Sequence, residues 1–172
     1  MTDAIQEHAH LRDAFVDGMS RAASAVTIVA TDGPAGRAGV TVSAMTSVSA
    51  DGDDPTMLTC LNANGSVLPL VLANGCFSIN LLQSDQSAIS DIFSSRSPAP
   101  GGDKFAAVEI FTAKTGAPCL TNALVSFDCK LISAERIGTH HICIGAVKAV
   151  HVAPQGEPLL YGMRRYLRAV AQ

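Results

Sequence analysis

Between Gly39 and Asp51 the chain runs GVTVSAMTSVSAD, a strand whose alternation breaks in the middle and then resumes. Val40 and Val42 fall on one side of its first half and Thr41 and Ser43 on the other, the period-two pattern of a half-buried strand. Small hydroxyl and alanine residues follow, Ser43-Ala44-Met45-Thr46-Ser47, until Val48 restores the apolar rhythm. Small side chains let a flat object approach the backbone closely, and the amides and hydroxyls there offer hydrogen bonds along one line. Taken alone, the stretch reads as a Ser/Thr-rich edge strand with a bulge.

The segments around it set the fold class. Thr2 or Asp3 caps a first helix over residues 1–20, in which Ile5, Leu11, Phe15 and Met19 recur at roughly helical spacing. The period then changes. Residues 26–30 (VTIVA) are β-branched, the Asp32-Gly33-Pro34-Ala35-Gly36 turn follows, and the Gly39 stretch completes a hairpin. An acidic turn at residues 51–55, without the glycine and glutamate spacing of a calcium loop, leads to a third strand over 56–61. Ser66 is placed to cap a short helix over 67–73, which Asn74-Gly75 closes. A fourth strand covers 76–82, with Asn80 among apolar neighbours, and a second short helix covers 86–93. The Pro/Gly/Ser-rich run SSRSPAPGG makes residues 94–104 a mobile loop. Strands over 124–131, 142–150 and 159–161 complete the chain, with Gly138-Thr139-His140-His141 turning between the first two. Many short strands with two or three helices predict one mainly β domain over 1–172, a closed antiparallel barrel with flanking α-helices.

Composition narrows the function. A net charge of −3, from 12 Lys and Arg against 15 Asp and Glu with no basic run, argues against nucleic acid as a partner. Five scattered cysteines without a C-x-x-C pair read as free thiols in a reducing compartment, with no structural zinc. His8 and His10 lie two apart and share no helix face, so no metal is expected there. The polar, acidic first ten residues lack a signal peptide and no apolar run reaches membrane-span length, which predicts a soluble cytoplasmic protein. No G-x-S-x-G, Walker loop or G-x-G-x-x-G is present. Catalysis by side-chain nucleophile or acid–base pair has no local signature, and a bound cofactor carrying the chemistry fits better.

Six segments occur in order: GVTVSAMTSVSAD, CLNANGS (60–66), FSINLL (77–82), GDKF (102–105), GTHHICIGAV (138–147) and PLLYGMRRY (158–166). Together they resemble the flavin reductase family with the FMN-binding split-barrel fold, antiparallel and Greek-key-like. The resemblance runs from about Phe15 to the C-terminus and is closest to the short reductase components of two-component flavin monooxygenases, the 4-hydroxyphenylacetate and phenol hydroxylase type. It implies a homodimer that moves a hydride from NADH or NADPH to FMN or FAD and supplies reduced flavin to a partner monooxygenase, with no metal and no catalytic side chain. The alternatives are a corrinoid reductase of the same fold, acting on cob(II)yrinic acid diamide, and a non-catalytic flavin-binding electron-transfer module.

The resemblance also implies a site. Thr41, Val42, Ser43, Ala44, Met45, Thr46 and Ser47 would lie along the isoalloxazine and ribityl chain. Asn62 and Ser66 match phosphate and ribityl contacts, Asn80 a position beside the ring, and Lys104 and Phe105 an element near the phosphate. His140 matches a histidine associated with the nicotinamide dinucleotide, and Arg165 and Tyr166 a C-terminal element near the active site or subunit contact. Three departures stand out: Ser24-Ala25 in place of a Pro/Thr-Gly turn, Thr139 in place of an aspartate, and Leu167 in place of a histidine.

Overall fold

The computed structural model describes residues 2–170, with side chains from residue 10 onward. Helix α1 spans Thr2–Arg21, and its cap and the side chains of Ile5 and His8 lie outside the described residues. Strands β1 (Ser24–Ala25), β2 (Thr27–Thr31), β3 (Ala38–Val42), β4 (Met45–Ser49) and β5 (Thr56–Asn62) follow. Helix α2 (Val67–Asn74), strand β6 (Cys76–Leu81) and helix α3 (Ser87–Phe93) come next. After 3-10 turns at Pro100–Gly102 and Lys104–Ala107 come β7 (Ile110–Thr112), β8 (Pro118–Leu120), β9 (Val125–Ile137), β10 (His140–Val152), β11 (Leu159–Gly162) and β12 (Arg165–Arg168).

Seven strands form one antiparallel sheet in the order β3-β2-β6-β9-β10-β5-β4. The Gly39–Asp51 stretch is therefore two strands, not one edge strand with a bulge. β3 and β4 are joined only by Ser43-Ala44, yet they stand on opposite edges of the sheet. Six strand spacings amount to about 29 Å in a flat sheet, whereas a two-residue link reaches roughly 11 Å. The sheet must curl until its edges meet at that link. This is a split barrel with its seam at that link, where Cys60 N–H donates to Ala44 O (3.0 Å), extending the β4–β5 pairing, and Met45 N–H donates to Ser43 O (3.2 Å).

β2 is buried along its whole length because it feeds both sides of the sheet. Val29 packs with Phe77, Ile79, Cys129 and the α2 residue Val71 on one face. Ile28 and Ala30 pack with Leu82, Phe93, Leu120 and Leu159 on the other. The two threonines at the ends of β2 are buried as well, and each spends its hydroxyl inside: Thr27 Oγ1 donates to Val42 O (3.0 Å) and Thr31 Oγ1 to Cys76 O (2.7 Å). β11 is stitched to the barrel by Val26 N–H to Leu159 O and Leu159 N–H to Leu82 O, both 2.9 Å. That places the residues of the small β1-β11-β12 sheet against β3.

Several local expectations change. Gly75 closes α2 in the left-handed region (φ 69°), its N–H donating to Val71 O, as Asn74-Gly75 predicts. Ser66 stands at the N-cap with helical dihedrals (φ −70°, ψ −15°), but its side chain makes no capping hydrogen bond. β9 and β10 are each 13 residues long, well beyond the 124–131 and 142–150 expectations, and turn at Gly138-Thr139 with Gly138 at φ 59°. Within the 94–104 segment Arg96 and Ser97 N–H both donate to Asp91 O (2.9 and 3.1 Å), and Lys104 Nζ to Phe93 O (2.8 Å). Among the described residues no helix is long and apolar enough to cross a membrane.

Candidate functional site

β3 is the common wall of two adjoining cavities. The first, about 170 Å³, is bounded by Gly39 and Val40, the end of β5 with Asn62, the start of α2 with Ser66, and Ser94, Ser95 and Lys104. The second, about 140 Å³, is bounded by Thr41, Val42 and Ser43 with Ser90, Ser94, Arg96, Tyr161 and Tyr166. Ser94 belongs to both walls, so the two form one groove along β3. Larger hollows lie elsewhere, about 290 Å³ between Gln86, Glu109 and Asn122 and about 400 Å³ under Lys114, Lys130 and Lys148. Neither touches β3, and neither gathers the residues singled out above, so volume alone does not choose the site.

The first cavity is built to receive an anion. α2 has no side-chain cap, so the amides of its first turn are open to a ligand, at the positive end of the helix dipole. Lys104 faces the same space; partial burial pushes its pKa below the ordinary lysine value, the mark of a cation short of solvent. Phe93 lines the cavity and meets the buried Phe105 edge to face, with ring centroids 5.2 Å apart. These rings press on the backbone at Gly39, where a Cβ would stand 2.7 Å from Phe93 Cε1 and 3.1 Å from Phe105 Cζ. Gly39→Ala should therefore cost about 1–3 kcal/mol of stability by overpacking, read as a lowered midpoint in urea, and should weaken ligand binding in the groove.

The second cavity is aromatic. Tyr161 and Tyr166 meet edge to face at 5.5 Å. Tyr166 Oη donates to Asp91 Oδ1 (2.6 Å) and lies 3.0 Å from Ser90 Oγ. Burial, together with the Asp91 hydrogen bond, pushes its pKa up, so the phenol stays neutral. Thr41 Oγ1 is committed to Ser90 O (2.7 Å), leaving the β3 backbone and Ser43 as the polar surface.

The structure brings together Thr41, Val42, Ser43 and Tyr166 in one cavity, and Asn62, Ser66 and Lys104 in the other. Phe105 is buried beneath the groove as a support. Ala44, Met45, Thr46 and Ser47 line neither cavity; Met45 packs against the core, and the other three are exposed at the seam. The side-chain oxygen of Asn62 accepts Asn64 N–H (2.9 Å), a local turn contact. Asn80 is not in the groove at all. Fully buried, it donates to Ile28 O and Ser78 Oγ and accepts from Leu120 N–H and Ser126 Oγ, which fills its hydrogen-bonding capacity. His140 is exposed at the β9–β10 tip, paired in register with Asn62 near the first cavity, whereas Tyr166 lines the second. Arg165 is exposed and lines neither.

Sequence reasoning passed over Ser94, Arg96 and Tyr161. Tyr161 sits within the PLLYGMRRY segment, and Arg96 is the one cation of the Ser/Pro/Gly loop before Gly102, which was its only available signal. All five cysteines are free thiols. Burial pushes Cys119 and Cys129 up to about 12 and Cys143 up to about 11, which closes thiolate chemistry at those three positions at neutral pH.

A curled sheet with a groove that is cationic at one end and aromatic at the other defines a split-barrel container for a flat, phosphate-bearing ligand. The matching family model, the flavin reductase like domain, covers residues 19–169, and the chain belongs to that family. It is 42% identical over 153 residues to an FMN reductase (NADH) RutF of Methylorubrum populi, spanning 89% of this chain and 74% of the relative. An FMN reductase (NADH) RutF of Stutzerimonas stutzeri is 40% identical over 156 residues, 91% of this chain and 87% of the relative. Among solved structures, the styrene monooxygenase flavin reductase of Pseudomonas putida S12 superposes with a TM-score of 0.79 at 25% identity, over 92% of this chain and 98% of that one.

Proposed function

We infer that this protein is an NADH-dependent flavin reductase that transfers a hydride from NADH to FMN and hands reduced flavin to a partner monooxygenase. The observation that carries the reading is the groove itself: Lys104 and the uncapped start of α2 at one end, Thr41–Ser43 facing two tyrosines at the other. That donor set fits FMN, a planar ring ending in a phosphate. The names of the RutF relatives favour FMN and NADH over FAD, NADPH and the corrinoid alternative. FMN, when bound, supplies the hydride-accepting ring.

The chain's own residues bind and orient. Ser66, Lys104 and the first turn of α2 would hold the phosphate, and the β3 backbone would lie along the ring. Asp91 fixes the Tyr166 hydroxyl, and the paired tyrosines would exclude water from one side of a bound ring. Positioning of donor against acceptor accounts for the rate, and no proton-transferring side chain is required for that step. The experiment is NADH oxidation with FMN or cob(II)yrinic acid diamide as acceptor. Faster turnover of the corrinoid would sink the reading.

His140 remains the proposed dinucleotide contact at the hairpin tip. His140→Ala should raise the apparent KM for NADH about 10- to 100-fold, the loss of one charge-assisted hydrogen bond, with FMN affinity little changed. An unaltered kcat/KM leaves His140 a turn residue only.

A homodimer is part of the same proposal. Leu11, Phe15 and Met19 recur on one side of α1 and are 68%, 65% and 55% exposed, and Ile132 and Ile137 stand out on β9. A second copy covering these surfaces removes that apolar area from water. Sedimentation equilibrium should give twice the chain mass; a strict monomer at micromolar concentration contradicts it. Cytoplasmic location, from the free thiols and composition, completes the reading.

A further inference from the structure

We propose that Arg96 is a substrate-binding residue that receives the diphosphate of the nicotinamide dinucleotide at the aromatic end of the groove. The inference rests on the flavin-reductase reading and assigns a binding role that sequence motifs do not mark.

The geometry holds Arg96 in place without using up its donors. Its backbone N–H is fixed on Asp91 O at 2.9 Å, and its Nη1 stands 3.4 Å from Asp91 Oδ1. Its guanidinium carbon lies 5.4 Å from the Tyr161 ring centroid and 5.8 Å from that of Tyr166. A guanidinium carries five N–H donors in a rigid fork suited to phosphate oxygens. Among the described residues the Arg96 fork makes that one ion pair and no shorter hydrogen bond, and its side chain is 51% exposed toward solvent. Asp91 Oδ1 also accepts the Tyr166 hydroxyl (2.6 Å), so Arg96 shares that oxygen and keeps its other N–H donors for a ligand.

Charge counting then assigns the ligand. Both substrates carry phosphate: FMN a single group, the dinucleotide a diphosphate. The groove has two cations among its described lining residues, Lys104 in the first cavity and Arg96 in the second. Lys104 shares its cavity with the open start of α2, which suits the flavin phosphate. Arg96 shares its cavity with the two tyrosines, the wall against which a second ring and its phosphates would enter.

The test uses full-length protein and two hydride donors, NADH and the phosphate-free N-benzyl dihydronicotinamide. Arg96→Gln should raise the KM for NADH about 10- to 100-fold, the scale of one charge-assisted contact. Its turnover with the phosphate-free donor, and its Kd for FMN by fluorescence quenching, should match wild type. Arg96→Lys, which keeps the charge but not the fork, should recover part of the NADH loss, and Lys114→Gln, a cation outside the groove, should change nothing. Equal losses with both donors, a raised FMN Kd, or an unchanged KM for NADH would overturn the assignment. Failure of the flavin-reductase reading looks different: wild type would then reduce FMN with neither donor.

Discussion

Asn80→Ala should unfold at markedly lower denaturant than wild type, with a loss of about 3–5 kcal/mol, while the groove keeps its lining. The residue sits at the crossing of three strands and the 118–120 hairpin arm, fully buried. Removing its carboxamide orphans Leu120 N–H in the interior and strips a partner from Ile28 O and from the Ser78 and Ser126 hydroxyls. Each buried group left unpaired costs about 1–3 kcal/mol, and the truncated side chain adds a small cavity. The discriminating readout is FMN affinity measured well below the melting range. It should stay within about twofold of wild type, because no Asn80 atom reaches the groove, and the stability loss carries the effect. A large drop in FMN affinity with unchanged stability would return Asn80 to the binding site.

Lys104→Ala should behave in the opposite way. Its ammonium loses one backbone partner, Phe93 O, so the change in stability is slight. Affinity for FMN should fall about 10- to 100-fold, the worth of one charge-assisted contact to phosphate. Riboflavin, which lacks the phosphate, should bind both proteins alike. pH offers a second handle. Burial lowers the Lys104 pKa, so the cation that phosphate needs is lost on raising the pH, and lost earlier than from an exposed lysine. FMN affinity of wild type should weaken at alkaline pH for this reason, and the weakening should be absent in Lys104→Ala. Equal effects on FMN and riboflavin would place Lys104 against the ring instead.

The elements that depend on local chemistry were legible from the chain alone. The β2–β3 hairpin follows from a β-branched run and the Asp32–Gly36 turn, and the end of α2 from Asn74-Gly75. What could not be read locally was where the strands go. The break at Ser43-Ala44 looks like a bulge, and only the order of the distant β9, β10 and β5 strands turns it into a link between sheet edges. β12 was missed because its hairpin turns on Met163 and Arg164, both at positive φ (52° and 59°), where glycine or asparagine would have marked the turn. The outer ends of β9 and β10 are exposed on both faces and lose their alternation, so their length was underestimated.

The site was legible in the same uneven way. Thr41, Ser43, Ser66, Lys104 and Tyr166 are carried by short motifs and do converge on the groove. Asn80 sits in an equally good motif, but register pairs it with Ile28 and Ser126 on the packed side of β6. Ser66 stands at the N-cap as its sequence position suggests, but its side chain makes no capping bond, which leaves the helix start open. Arg96 had no motif, and its role depends on Asp91 and two tyrosines from distant segments.

Anaerobic mixing of the purified protein with FMN and NADH tests the central claim most directly. The account predicts that the flavin absorbance bleaches in step with NADH, one flavin reduced for each NADH consumed, and at a rate far above that without protein. Persistence of oxidised flavin with both NADH and NADPH would contradict it.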